Sequence, residues 1–332
     1  MKKANKLLLL VFLSYASTSI SSDHLPFNKL KEENLNSFLL GFKKVCQSKK
    51  LPKTISSHPS FPKFGKKRDW ENICEKIIIK EKIDKNFLKN NFHLKQLSKD
   101  NGKLTGYYEP EISVSKFKTR EYSVPILKFN KKFLKVKREQ IEKNYQNKDI
   151  LLWTNDIIDL FFLQIQGSGI GVFKNKEKVK IIYNGNNNKK YTSIGSFLIK
   201  KNLIEKTNVN LFTIKNFLRD NPDKISYILN QNERYIFFKI ANKSLKNPLG
   251  ALGMELIPFI SIAIDKEYYP LGMPFLLYEK EANSYKIVLG MDTGSAIKGK
   301  NRADLFTGSG EKAENVAGMM KNKLILYSLV PY

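Results

Sequence analysis

Met291-Asp292-Thr293-Gly294-Ser295-Ala296-Ile297-Lys298-Gly299-Lys300-Asn301-Arg302-Ala303-Asp304-Leu305-Phe306 is the densest run of chemistry-bearing residues in the chain. Two carboxylates, Asp292 and Asp304, bracket a glycine-containing loop that also carries Lys298 and Arg302. A third, Asp265, ends an apolar run just before Tyr269-Pro270-Leu271-Gly272. Carboxylates close to one another oppose each other's ionisation, and apolar neighbours such as Leu305 and Phe306 add desolvation. Together these effects can hold one aspartate protonated near neutral pH, as a general acid requires. Aspartate beside glycine also caps turns, so the spacing alone leaves both readings open. Around this stretch the chain is glycine-rich, with short apolar runs at 260–264, 275–278, 285–289 and 324–329. Short strands between Gly/Pro turns predict a barrel or sandwich rather than a parallel α/β sheet.

Upstream the pattern differs. Leu35, Phe38, Leu39, Phe42 and Cys46 recur at helical spacing, as do Trp70, Ile73, Cys74 and Ile77 behind a capping Asp69. A Pro/Ser/Lys-rich loop is expected between them at 51–67, and a third helix at 84–91. Asn101-Gly102 between short apolar runs predicts a hairpin. The middle of the chain mixes strands (124–127, 163–166, 235–240) with helices (157–162, 192–200, 214–219).

Composition excludes several classes. At 332 residues and 42% hydrophobic, the chain is long enough for two domains and apolar enough to bury their cores. Three histidines, all in the first third, and two cysteines argue against a zinc site and against a late Ser-His-Asp triad. No metal or cofactor is expected. The net charge of +27 comes almost entirely from lysine, since arginine stands only at 68, 120, 138, 219, 234 and 302. Lysines scattered over every segment, without a basic stripe, do not suit a nucleic-acid partner. A basic envelope protein meeting an anionic polymer suits the charge equally well.

The first residues read as an export signal, residues 1–22. Lys2, Lys3 and Lys6 precede the apolar run 7–13, and small residues follow at 16–21. That run is too short to span a bilayer, and no acylation cysteine follows it. Export places Cys46 and Cys74 in an oxidising compartment, where an even pair is most simply a disulfide. It closes 27 intervening residues, which gives about 3 kcal/mol of stability on loop entropy.

Read together, several segments resemble a known family. The Asp265 region, the 291–299 motif and Arg302-Ala303-Asp304-Leu305-Phe306 resemble the three-aspartate domain of lytic transglycosylases. Leu104-Thr105-Gly106-Tyr107-Tyr108-Glu109-Pro110, Phe161-Phe162-Leu163-Gln164-Ile165-Gln166-Gly167-Ser168-Gly169, Tyr191-Thr192-Ser193-Ile194-Gly195 and Asn247-Pro248-Leu249-Gly250-Ala251-Leu252-Gly253 follow the order of motifs in membrane-bound lytic murein transglycosylase A. The resemblance implies a mainly β fold with some helices. A six-stranded double-psi β-barrel would be built from 23–104 and 243–332, with a second, largely β domain inserted at 105–242 and a groove between them.

The resemblance also implies a reaction. The β-1,4 bond between N-acetylmuramic acid and N-acetylglucosamine is cleaved without water, leaving a 1,6-anhydro end, by a peptidoglycan exotransglycosylase. Asp304 matches the family's catalytic acid; Asp292 and Asp265 are expected to orient it and tune its pKa. Lys298 is expected to pair away from Asp304. Thr105, Tyr107, Tyr108, Gln166, Gly167 and Ser168 are the expected sugar contacts. The implied partner is the peptidoglycan glycan strand, with cell-wall synthesis or division proteins beside it. The mature protein is expected to be a periplasmic monomer, loosely held at the outer membrane or cell wall. A non-catalytic glycan-binding barrel and an ordinary hydrolase on the same fold are the alternatives.

Overall fold

The computed structural model describes residues 26–98, 100–241 and 245–332, so the export signal expected at 1–22 lies outside the described residues. Four helices open the chain: α1 (Glu32–Gln47), α2 (Lys50–Ser57), α3 (Lys67–Ile79) and α4 (Lys85–Asn91). Strands β1 (Phe92–Gln96), β2 (Gly102–Glu109), β3 (Glu111–Ser115) and β4 (Val124–Leu127) follow, then α5 (Arg138–Asn144), β5 (Ile150–Thr154) and α6 (Ile157–Gln166). Next come β6 (Ser168–Val172), β7 (Lys178–Asn186), α7 (Ile194–Lys200), α8 (Leu211–Asp220), α9 (Ile225–Leu229) and β8 (Ile236–Ile240). The chain ends with β9 (Ser261–Ala263), β10 (Pro274–Glu279), β11 (Ser284–Asp292), β12 (Arg302–Ser309), α10 (Gly310–Met319) and β13 (Lys321–Pro331).

One sheet runs β13-β10-β11-β9-β12-β2, and β2 pairs back onto β13. Six strands therefore close into a barrel, which leaves no free edge among them. β1 is a seventh strand on the far end of β13. The barrel strands are buried on both faces, with Leu277, Val288, Leu289, Phe306 and Leu326 fully removed from water. The same core takes in the N-terminal helices: Phe38, Phe42 and Trp70 pack with Ile260, Phe275 and Leu289. Asn34 of α1 also clamps β11, donating from Nδ2 to Ile287 O at 3.2 Å and accepting from Ile287 N at 2.7 Å. Cys46 and Cys74 join α1 to α3 in a disulfide, with Cα atoms 5.0 Å apart.

Between β2 and β9 the chain builds a second sheet, ordered β4-β5-β3-β6-β7-β8. Helices α6 to α9 pack together beside it around Phe161, Leu198 and Leu218. Two polar clusters bind this unit to the barrel. Glu109, fully buried at the end of β2, accepts from Lys180 Nζ of β7 at 2.5 Å and from Ser309 Oγ of β12 at 2.7 Å. Lys215 of α8 donates to Asp159 of α6 at 3.1 Å and to Glu314 of α10 at 2.8 Å. Buried charges left unpaired are costly, so sliding one unit over the other breaks favourable geometry at both clusters.

Four local expectations are corrected. β1 and β2 do not pair with each other across Asn101-Gly102; each pairs with β13 instead. The turn propensity is local, whereas closing the barrel requires β13 to lie beside both. Residues 163–166 are not a strand: α6 runs on to Gln166, capped at its start by Asp156 and stopped by Gly167 at φ 85°. Leu163 and Gln164 are buried while Ile165 is exposed, a helical rather than an alternating arrangement. The expected loop at 51–67 contains α2, whose Leu51, Pro52 and Ile55 are buried. Asp69 lies in the first turn of α3 instead of before it, accepting from Lys66 N at 2.8 Å.

Candidate active site

Barrel closure places three distant motifs side by side. β12 and β2 run parallel, with Arg302 opposite Lys103, Asp304 opposite Thr105 and Phe306 opposite Tyr107. Residues two apart share a face, so both Arg302 and Asp304 meet the outward row of β2. Thr105 Oγ1 donates to Asp304 Oδ1, and Arg302 Nη2 donates to Thr105 Oγ1 at 2.7 Å. Threonine has a single hydroxyl proton. With the guanidinium occupying an acceptor lone pair, that proton is directed at Asp304. No described residue donates to Asp304 Oδ2.

Burial raises the Asp304 carboxyl above its ordinary pKa; Arg302, the Thr105 hydrogen bond and Lys103 oppose that rise without cancelling it. Asp292 lies beyond Tyr107, whose ring packs on Phe306 with centroids 5.4 Å apart. Tyr107 OH donates to Asp292 Oδ2 at 3.1 Å, while Ala251 N and Thr293 N donate to Oδ1 at 2.9 and 2.8 Å. The chain reaches Asp292 from Ala251 because Gly250 lies against Met291, where an added Cβ would stand 2.5 Å from a carbonyl oxygen. Desolvation pushes Asp292 up to about 6 in spite of its three donors, and the negative charge of Asp304 adds to the rise. The charge of Asp304 is among the causes that raise Asp292, whereas Asp292 is not among those that shift Asp304.

A raised carboxyl pKa has a stability sign. The fold prefers protonated Asp292, so its favourable contribution is complete below the unfolded value near 3.8 and is lost as pH rises through about 6. Asp292→Asn removes this titration. Between pH 4 and 7 the variant is expected to gain stability relative to wild type, by about 3 kcal/mol at most. Urea unfolding midpoints at several pH values check this; a wild-type-to-variant gap that stays constant with pH excludes it.

Asp265 has a different task. It is buried, accepts from Gly299 N at 2.8 Å and Glu267 N at 3.2 Å, and pairs with Lys298 at 3.5 Å. Tyr269 OH adds a bond to Lys300 O at 2.6 Å. Together they latch the loop that joins β11 to β12. Lys298 thus pairs away from Asp304, and Asp265 is not among the charges that raise either of the other two aspartates.

The expected sugar contacts divide. Thr105 and Gln166 line a cleft of about 390 Å³ between β2, α10 and the start of β13 on one side and α7 and α8 on the other. Gln166 Oε1 accepts from Tyr108 N at 3.2 Å, which fixes the end of α6 against β2. Gly167 has open space where a side chain would stand, and Ser168 opens β6 opposite Ile182. Tyr108 also lines the cleft, but its ring is almost wholly buried and its hydroxyl donates to Glu314 at 2.8 Å, so it chiefly packs β2 on α10. Sequence reasoning assigned no role to Arg302, Lys103 or Tyr191, all of which interact electrostatically with Asp304 or, in the case of Tyr191, are shifted by its charge. The spacing of Arg302 and Asp304 on one strand was the available signal for the first.

Comparison with known proteins agrees with this architecture. Residues 103–239 match the MltA specific insert domain and residues 260–330 the 3D domain. The structure is similar to a membrane-bound lytic murein transglycosylase from Agrobacterium tumefaciens, with a TM-score of 0.74 and 23% identity over 91% of this chain and 97% of that one. It is also similar to Escherichia coli MltA with bound chitohexaose, at TM-score 0.69 and 22% identity over 86% of this chain and 90% of the other. The fold is thus a lytic transglycosylase fold. The membrane-bound lytic murein transglycosylase A homolog of Buchnera aphidicola is 31% identical over 309 residues, covering 87% of this chain and 81% of the relative. The chain belongs to the membrane-bound lytic murein transglycosylase A family.

Proposed function

We propose that the protein is a peptidoglycan lytic transglycosylase that cuts the β-1,4 bond between N-acetylmuramic acid and N-acetylglucosamine. Asp304 serves first as acid and then as base. The observation that carries this is the Asp304 carboxyl itself: raised by burial, held at Oδ1 by Thr105, and without a donor at Oδ2 among the described residues. A protonated Oδ2 gives its proton to the glycosidic oxygen as the C1–O4 bond breaks. The C6 hydroxyl of the same muramoyl residue closes on C1, and the Asp304 carboxylate takes the hydroxyl proton. No water enters, so one carboxyl group serves where a hydrolase needs two. The tethered C6 hydroxyl has the high effective concentration of an intramolecular nucleophile. Chitohexaose bound to the E. coli relative and the murein in the names of the others support a glycan substrate.

We assign the second sheet, β3 to β8 with its helices, to the inserted domain and the barrel with its N-terminal helices to the other; the boundary expected at 105 falls inside β2, a barrel strand, so the insert begins after Glu109. Residues 1–22 we assign to an export signal, which gives a periplasmic protein, and we take it to be a monomer. No described helix is long and apolar enough to cross a membrane. Mass spectrometry of muropeptides released from purified sacculi tests the reaction. The expected products carry anhydromuramoyl ends, one water lighter than hydrolysis products. Reducing ends alone would make the enzyme a hydrolase, and no release would leave a glycan-binding barrel.

A further inference from the structure

The cleft lined by Thr105, the hydroxyl donor to Asp304, has a feature that bond cleavage does not use. None of the residues lining it is acidic, yet Lys103, Lys206 and Lys321 all do. The barrel register sets Lys103 and Lys321 in adjacent rows: Arg302, Lys103 and Lys323 lie across from one another, and Asp304, Thr105 and Lys321 form the next row. Among the described residues none of these cations forms an ion pair with a carboxylate. The more enclosed lysines elsewhere do: Lys132 with Asp149 at 2.5 Å, Lys180 with Glu109 at 2.5 Å, Lys215 with Glu314 at 2.8 Å and Lys286 with Glu279 at 2.9 Å. In a chain of net charge +27, solvent-facing lysines need no partner. Like charges gathered along one cleft wall repel, however, and an anion seated among them relieves that repulsion. Desolvation and the neighbouring Arg302 and Lys321 charges already push the Lys103 ammonium down. A protonated Asp304, as acid catalysis requires, gives them no countercharge.

We infer that Lys103, Lys206 and Lys321 form a subsite for the carboxylates of the peptide branch carried by the muramoyl residue at the scissile bond. This rests on the proposed reaction. Lys321 stands two strands from Asp304, about 10 Å at the usual strand spacing, a reach that suits a short peptide branch on a sugar held at the acid. Charge-assisted contacts from lysine ammonium groups recognise carboxylates without demanding one orientation, in keeping with a flexible peptide.

The test compares KM on peptide-bearing glycan strands with KM on the same strands after enzymatic removal of the peptides. Wild type is expected to prefer the peptide-bearing strands by about tenfold, the size of one lost charge-assisted hydrogen bond. In Lys206→Gln/Lys321→Gln the preference collapses toward one, whereas Lys206→Arg/Lys321→Arg retains it. A control, Lys53→Gln/Lys148→Gln, removes two exposed charges away from the cleft and keeps the preference. Loss of preference in that control would reduce the effect to net charge and overturn the subsite. So would a wild type without preference, or a cleft double variant that keeps it. Wild-type turnover of peptide-free strands separates these outcomes from a failure of the reaction itself.

Discussion

Asp304→Asn is expected to lose turnover by about 10²–10⁴-fold, the usual contribution of a positioned general acid-base group. The amide is nearly isosteric and can still accept from Thr105, so fold and glycan binding survive while the transferable proton does not. Release of anhydro products from sacculi is the activity measure, and co-sedimentation with sacculi the binding control. Asp265→Asn is expected to cost less, since its carboxylate latches a loop through Gly299 and Lys298 and does not touch the reacting atoms. An Asp304→Asn enzyme of undiminished activity would falsify the assignment and move the acid to Asp292, the other carboxyl raised by burial.

Cys74→Ser is expected to cost about 3 kcal/mol of stability on the loop-entropy estimate. The bond ties α1 to α3, and both helices share one hydrophobic core with the barrel strands through Phe38, Phe42, Trp70 and Ile77. The loss therefore reaches the barrel that holds Asp304 as well as the helical segment. Urea midpoints of wild type and variant measure it. Native protein prepared without reductant is expected to show no titratable thiol; two thiols would refute the pairing.

Much of the chemistry was legible because it is written locally. Asp292, Lys298, Arg302 and Asp304 sit in one stretch, and the strand pattern after Pro248 announced a barrel or a sandwich. Cys46 and Cys74 stand on helices whose 3.6-residue apolar spacing was plain. Helix and strand periodicity are properties of neighbours, and neighbours are what a sequence lists.

What the sequence could not give was which distant strands become neighbours. Thr105 lies 199 residues before Asp304 and becomes its hydrogen-bond donor only because β2 runs parallel to β12. Tyr107 and Tyr108 are adjacent, yet the pleat sends one to Asp292 and the other into the packing against α10. Asn101-Gly102 promised a hairpin that barrel closure overrode, because pairing β13 with both β1 and β2 buries more apolar surface than a two-stranded turn can. The sequence by itself determined the long amphipathic helices α1 and α3, most C-terminal strands, the disulfide partners and the carboxylates from which the acid is drawn. The tertiary structure alone decided the donor of Asp304, the separate task of Asp265 and the row of lysines beside them. Each of those depends on strand register, a long-range relation that local periodicity does not encode.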